Sequence, residues 1–313
     1  MSQPFISICI PTYKRTDLLK KLLDSIQVQS FKDFEILVND NSPDESVKNL
    51  VQSYSASLNI SYQKNEPAVT AVENGKRVML KARAPWIKMM HDDDWFEGVD
   101  ALQQFADAAK NSGKDFIFCA SNQVYLEKGK TEKEFLTADR KQQLDDSFFS
   151  LIYLNVIGHP SVVMHKKDDS IQYDSQFNWV LDIDYYLRFL KAHNGYHYIP
   201  ETLVNIGKGN TQESYKYYKN SKVEIPEYFT LLTKYESDLH LKNPYVFHMI
   251  WNMLRRFKIK SIADIKATGY TGKIPDKIEE IIAFQKSIPR IIIKQTPWSK
   301  KLMLRCFKKI TTA

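Results

Sequence analysis

Cysteine is scarce in this chain, and what little there is lacks pattern. Cys9, Cys119 and Cys306 are an odd number without metal-ligand spacing. That excludes a disulfide framework and a cysteine-built zinc site, and predicts reduced, buried thiols. Long apolar runs are missing too. A membrane span needs about 18 consecutive apolar residues, whereas Phe116-Ile117-Phe118-Cys119 and Ile291-Ile292-Ile293 have strand length. The opening Met1-Ser2-Gln3-Pro4-Phe5 has no basic stretch leading into an apolar one. It therefore does not read as a secretory signal, and a cytoplasmic protein is expected. No internal repeat or low-complexity linker is present.

What is there is globular. Of 313 residues, 43% are hydrophobic and 26% charged, both near the averages for folded domains. Seventeen Phe, 17 Tyr and 5 Trp supply bulk for a core. The length suits two domains or one large one. The net charge of +7 is uneven: residues 241–313 carry +12 and the remainder −5. The basic character belongs to the C-terminal quarter, and bears on partners rather than on fold.

Strand-like and helical patterns alternate in the first half. The β-rich run Phe5–Ile10 stops at Pro11, and Leu18, Leu19, Leu22, Leu23 and Ile26 then recur at helical spacing behind Thr16 and Asp17, which are placed to cap. Phe34–Val38 is a second strand, followed by the turn-rich Asn39–Asp44. A helix over 45–54, a strand over 58–62, a helix over 70–81 and a strand over 86–90 follow. This alternation predicts an α/β fold with a mainly parallel, Rossmann-like sheet flanked by helices. Ligands bind such sheets beyond the strand carboxyl ends, where Pro11–Arg15, Asn39–Asp44 and His91–Asp94 fall. Later, 116–120 and 161–165 read as strands and 181–192 as helix. Helical patterns dominate beyond about residue 215, and Ile206–Asn210 is the expected boundary.

Asp92-Asp93-Asp94 is the sharpest chemical signal. Like charges about 4 Å apart repel by about 1 kcal/mol in water and about 4 kcal/mol at an effective dielectric of 20. Three carboxylates at a strand end call for a cation, and Mg²⁺ or Mn²⁺ would complete its oxygen shell with substrate phosphates. A solvated turn capping the next helix is the competing reading.

Taken together, three blocks resemble the family 2 glycosyltransferases: Ile6-Ser7-Ile8-Cys9-Ile10-Pro11-Thr12-Tyr13-Lys14-Arg15, then Ser25-Ile26-Gln27 through Phe31–Ser42, then Glu73-Asn74-Gly75 to Ala84-Pro85-Trp86-Ile87 with the acidic triplet. The resemblance covers about residues 4–215. It implies an A-type glycosyltransferase fold that binds a nucleotide-sugar, most simply a UDP-sugar. By this analogy Pro11, Thr12 and Tyr13 line the nucleoside pocket with Asn74, Arg15 lies near the phosphates, Asp40 meets the base, and Asp92 lies near the ribose. Asp93 and Asp94 become the metal ligands for Mn²⁺ or Mg²⁺. His91 stands where the longer family pattern has a carboxylate, and Asn39 where it has an Asp.

Trp179-Val180-Leu181-Asp182 through Arg188 resembles the helix start that carries the family's general base. Asp182 is the implied catalytic base, with a helix N-cap as the alternative. The implied chemistry is one in-line displacement, which inverts the anomeric carbon. His159 in Gly158-His159-Pro160-Ser161 and Trp179 would face donor or acceptor sugar. Lys208 falls where relatives carry a diphosphate-facing segment. His193 and His197 are read as non-ligands because Gly195 interrupts their spacing.

Trp298, Leu302, Met303, Cys306, Phe307 and Ile310 are expected on one face of a C-terminal helix, with Lys300, Lys301, Arg305, Lys308 and Lys309 on the other. Such a helix suits an anionic membrane surface or packs on the body of the protein. Trp251–Lys260 is expected to extend that surface.

The expected whole is a catalytic domain over 1–215, with a nucleotide half (1–95) and an acceptor half (96–215), and a basic helical region over 216–313. It would be an inverting, metal-dependent glycosyltransferase of hexosyltransferase type. It would extend a surface polysaccharide or capsule glycan from the inner membrane face, using a glycan or lipid-linked glycan acceptor. No nucleic-acid partner is expected, since the acidic strand ends would repel phosphate. The rivals are an inactive sugar-nucleotide-binding protein and a sugar nucleotidyltransferase. The latter wants a Gly-rich loop that Pro11–Arg15 lacks.

Overall fold

The computed structural model describes residues 3–193, 195–209, 214–235, 243–275, 277–289 and 296–311. The chain divides into two compact units. The first comprises Met1–Lys141, Val156–Ser175 and Asp184–Gln212, and the second Gln142–Asn155, Gln176–Ile183 and Glu213–Ala313.

The first unit is built on one sheet. Its strands are β1 (Ile6–Thr12), β2 (Phe34–Asp40), β3 (Ile60–Lys64), β4 (Trp86–Met89), β5 (Asp94–Phe96), β6 (Phe116–Tyr125), β7 (Lys130–Glu134), β8 (Val163–Lys166) and β9 (His197–Lys208). They lie in the order β3-β2-β1-β4-β8-β6-β9-β5, with β7 pairing on β6. β3, β2, β1 and β4 are mutually parallel, as β6 and β9 are. β8 runs antiparallel between β4 and β6. β1 and β2 are buried along nearly their whole length, which is why they read as continuous apolar runs rather than alternating ones.

The helices, in chain order, are α1 (Thr16–Gln27), α2 (Ser46–Tyr54), α3 (Ala71–Leu80), α4 (Ala101–Asn111), α5 (Ala138–Asp146), α6 (Leu181–Ala192), α7 (Ser214–Tyr217), α8 (Ser221–Lys234), α9 (Pro244–Arg256), α10 (Ile262–Lys266), α11 (Ile278–Lys286) and α12 (Thr296–Thr311). α1 buries Leu19, Leu22, Leu23 and Ile26, as its spacing dictates. Its capping differs from expectation. Arg15 holds the N-cap position without a side-chain cap bond, and Thr16 and Asp17 lie inside the first turn. The strand expected over 116–120 runs on to Tyr125, and Ile206, Gly207 and Lys208 lie within β9.

The second unit is helical. Its core holds Trp251, Phe247, Phe229 and Leu231, all fully buried. Trp251 therefore offers nothing to a surface, contrary to expectation. Its indole N–H donates to Ser299 Oγ at 3.0 Å. That bond joins α9 to the inward side of α12. Ser299, Met303, Cys306 and Ile310 face inward, and Trp298 stands 56% exposed. Leu302 and Phe307 are half-buried beside the inward residues, so of the expected apolar face only Trp298 departs. Among the described residues no helix is long and apolar enough to cross a membrane.

Candidate active site

Three strand carboxyl ends bring the polar clusters together in the first unit. The turn after β1 is tied to the turn after β4 through Asp92. The Thr12 hydroxyl donates to Asp92 Oδ2 at 2.7 Å, and the Tyr13 amide to the same oxygen at 3.2 Å. Arg15 bridges Asp92 and Asp93, with its Nη1 2.6 Å from Asp93 Oδ2. Asp92 is fully buried, which pushes its carboxyl up to about 6 against the pull of the Arg15 charge. Pro11 is half-buried and Tyr13 exposed.

His91, Asp93 and Asp94 each present one ligand atom, and those atoms lie within 4.8 Å of one another. Asp94 is placed by buried partners. The Gly207 amide donates to its Oδ1 at 3.1 Å, and Ser161 adds a side-chain bond. The Ser161 hydroxyl oxygen also accepts the His91 amide at 2.9 Å. Burial, with the neighbouring Asp93 charge, pushes the Asp94 carboxyl up to about 8. Burial holds the His91 imidazole below its usual value, hence neutral and able to ligate. Two carboxylates and an imidazole are a donor set that fits Mn²⁺, and Mg²⁺ through its oxygens.

His159 and Lys208 meet beside this cluster. Lys208 Nζ lies 2.8 Å from His159 Nε2. Burial first, and the nearby Lys208 charge, push the His159 imidazole down to about 3, so it is neutral. Sequence reasoning named both residues but passed over Ser161, Gly207 and Lys88. Lys88 is fully buried, which pushes its amine down to about 7; its Nζ donates to the Ser161 carbonyl and lies 4.9 Å over the Phe105 ring.

On the nucleoside side, Asp40 is buried at the end of β2. Its Oδ1 accepts the Ser42 amide at 2.7 Å and its Oδ2 the Tyr62 hydroxyl at 2.8 Å. A carboxylate has about four acceptor sites, so capacity for a base remains. Asn74 Oδ1 accepts Nδ2 bonds from Asn39 at 2.7 Å and Asn65 at 2.9 Å, and its own Nδ2 reaches the Thr12 carbonyl at 3.4 Å. The unexpected Asn39 thus belongs to a buried amide network.

Trp179 and Asp182 lie in the second unit. Asp182 is the second residue of α6. The residue keeps part of its surface exposed, yet desolvation of its carboxyl pushes it up to about 7. The turn before it is held from α8. The Glu227 carboxylate accepts the amides of Asn178 at 3.0 Å, Trp179 at 2.8 Å and Val180 at 3.1 Å. The Trp179 side chain also bonds the hydroxyl of Tyr228. In the first unit, Arg188 pairs with Asp184 four residues earlier, at 2.8 Å. His193 spans Asp115 and Asp168 at 3.2 and 3.0 Å.

The comparisons agree with this architecture. The profile of glycosyl transferase family 2 matches residues 7–172. An uncharacterized glycosyltransferase of Rickettsia typhi is 26% identical over 201 residues, 62% of this chain and 61% of its own length. The match thus spans less than two thirds of that relative. A GalNAc(5)-diNAcBac-PP-undecaprenol beta-1,3-glucosyltransferase of Campylobacter jejuni is 31% identical over 136 residues, 42% of each chain. Among solved structures, S. aureus TarS 1–349 in complex with UDP-GlcNAc superposes with a TM-score of 0.58 at 13% identity, covering 90% of this chain and 92% of that one. The mannosyltransferase PcManGT of Pyrobaculum calidifontis, in complex with GDP-Man and Mn²⁺, gives 0.56 at 12%, covering 98% and 85%. Those likenesses establish the A-type glycosyltransferase fold, and with the matched profile, the chain belongs to the family 2 glycosyltransferases.

Proposed function

We propose that the chain is an inverting glycosyltransferase that moves a sugar from a nucleotide-sugar, a UDP-sugar first, to a hydroxyl of a glycan or lipid-linked glycan. The observation that carries this is the His91, Asp93 and Asp94 cluster at the carboxyl end of β4. The complexes of TarS with UDP-GlcNAc and of PcManGT with GDP-Man and Mn²⁺ support a donor of this kind. The name of the Campylobacter relative supports a lipid-diphosphate-linked acceptor.

The three donors would hold Mn²⁺ or Mg²⁺, which when bound neutralises charge growing on the leaving diphosphate. Arg15 and Lys208, beside the cluster, add positive charge toward the phosphates. Asp40, Asn74, Pro11, Thr12 and Tyr13 would take the nucleoside, with Asp92 fixing the Thr12–Arg15 turn. His159 and Trp179 would position sugar. Asp182 would accept the proton of the attacking hydroxyl. Its elevated pKa suits that role, because a base works best near the operating pH. A carboxylate engaged in capping amides would be pushed down instead. A single displacement inverts configuration, since retention needs a second nucleophile.

The exposed side of α12 carries Trp298, Leu304, Lys301, Arg305 and Lys308. A cationic face with an exposed indole suits an anionic membrane surface. The enzyme would then work peripherally at the inner face of the cell membrane. The test is a panel of UDP-, GDP- and dTDP-sugars scored for Mn²⁺-dependent thermal stabilisation and then for hydrolysis. Stabilisation by one class is expected. No response across the panel rejects the reading.

A further inference from the structure

The second unit contains a cleft of about 510 Å³ that the proposed chemistry does not use. The volume falls in the range of small-molecule sites, about 300–1,000 Å³. Its cations are Arg255 and Arg256 at the end of α9 and Lys258 two residues beyond it. None of the residues lining it is acidic. Its remaining wall is mainly apolar or aromatic, with Met249, Met253, Tyr153 and Tyr228.

Helix-dipole compensation explains part of this. Cations in a last turn are favoured by the carbonyl end, and Arg255 and Arg256 occupy that turn of α9. Arg256 also pairs with the buried carboxylate of Glu224. Lys258 is not explained that way. It lies outside the helix in a left-handed conformation, φ 57°. Nor does the dipole account for two methionines and two tyrosines turned toward the same space. Methionine walls adapt to irregular hydrocarbon.

The cleft adjoins the turn that precedes Asp182. Tyr228 lines it, and the Tyr228 hydroxyl bonds the Trp179 side chain. The next residue back, Glu227, holds the amides of 178–180. Tyr153, in the cleft wall, stacks on His248 at 4.2 Å, and α9, which supplies most of the lining, is joined to α12 through the Trp251–Ser299 bond.

We infer that this cleft is the acceptor's anchoring subsite and takes the diphosphate head and first hydrocarbon units of a lipid-linked glycan. The inference rests on the transferase reading above and names the acceptor's chemical class. Arg255 and Lys258 meet the phosphates, while the methionine and tyrosine wall meets the hydrocarbon. A soluble phosphate would use the cations alone and leave the apolar wall wet. Three cations with no acidic residue in the lining, beside a largely apolar wall, match an anionic amphiphile better than a soluble phosphate.

The test uses the full chain, in EDTA and without nucleotide, titrated with farnesyl diphosphate, inorganic diphosphate and farnesol. Farnesyl diphosphate is expected to bind at least about tenfold tighter than either control, and Arg255→Gln with Lys258→Asn to weaken it about tenfold. Asn tolerates the left-handed backbone at 258. Arg256 is left in place because Glu224 would otherwise be buried unpaired. An unchanged melting temperature in the double variant shows that it folds. Equal binding of inorganic diphosphate, equal binding of farnesol, or a double variant that binds like the parent each overturns the inference. Asp182→Asn should bind the probe as the parent does. A failed donor panel combined with intact probe binding would reject the transferase reading and keep the subsite.

Discussion

A β-carbon placed on Gly207 would stand 2.2 Å from the carbonyl oxygen of Asp93. β9 therefore touches the acidic turn after β4 backbone to backbone, and only glycine allows that approach. The Gly207 amide also donates to Asp94. Gly207→Ala is expected to displace Asp93 and Asp94, cost about 1–3 kcal/mol as overpacking does, and abolish Mn²⁺-dependent stabilisation. Denaturant melts with and without Mn²⁺ measure both effects. An alanine variant with the parent's Mn²⁺ response contradicts this placement.

The pH dependence of transfer should report Asp182. Its carboxyl is pushed from 3.8 to about 7 by burial, so kcat/KM should climb as pH rises toward about 7 and level above it. Asp182→Asn should lose about 10²- to 10⁴-fold in kcat with donor binding kept. The stability effect has the opposite sense. A carboxyl whose folded pKa is raised costs nothing below its unfolded value. The cost grows as pH rises and is complete above about 7. Asp182→Asn should therefore flatten the melting temperature between pH 4 and pH 7, and a slope equal to the parent's would rule this out.

Glu227 is expected to act on the reaction through the turn it holds. Removing the carboxylate orphans three amides, and hydrogen bonds to a charged group contribute about 1.5–3 kcal/mol. Glu227→Ala should lose stability of that order and lower kcat while KM for the donor holds. Glu227→Gln, which keeps an acceptor oxygen, should recover part of both. If donor KM rises and kcat holds, Glu227 does not position the base.

Ion preference should follow His91. An imidazole beside two carboxylates favours Mn²⁺ over the harder Mg²⁺. Calorimetric titration of the nucleotide-free protein should show Mn²⁺ binding tighter, and His91→Asp should narrow the gap. An identical Mn²⁺ to Mg²⁺ ratio in the variant would remove His91 from the ligand set.

Membrane affinity should depend on the outward side of α12. Each Lys or Arg near an anionic surface contributes about 1 kcal/mol. Trp298→Ala with Lys301→Gln should weaken binding to anionic vesicles at low salt, and neutral vesicles should show little binding by either protein. Equal sedimentation of parent and variant with anionic vesicles would assign α12 a packing role alone.

The parts legible in the sequence are those whose signals are local. β1, β2 and β4 are buried through most of their length, so their runs stand out, and the acidic triplet ends an unambiguous strand. What escaped depends on partners distant in the chain. Ser161 reaches back 70 residues to His91, and Gly207 meets Asp94 across 113. Neither residue type advertises such a role. The inward side of α12 was legible from its apolar spacing, since Met303, Cys306 and Ile310 are buried and, of the expected face, only Trp298 stands exposed; the Ser299 contact with Trp251 was not, because a serine carries no such signal. Arg15 reads as a phosphate group's neighbour, yet before any ligand arrives it is engaged by two aspartates.

The tether between Glu227 and the 178–180 turn reaches across 47 to 49 residues. The family profile stops at residue 172. A fragment trimmed to that border would lose β9, whose Gly207 amide holds Asp94, as well as the proposed proton acceptor. One trimmed after residue 215 would retain the acceptor and cut away its brace. Chimeras that swap tails between relatives to change acceptor choice therefore need their junction ahead of residue 176, so that brace and turn travel together.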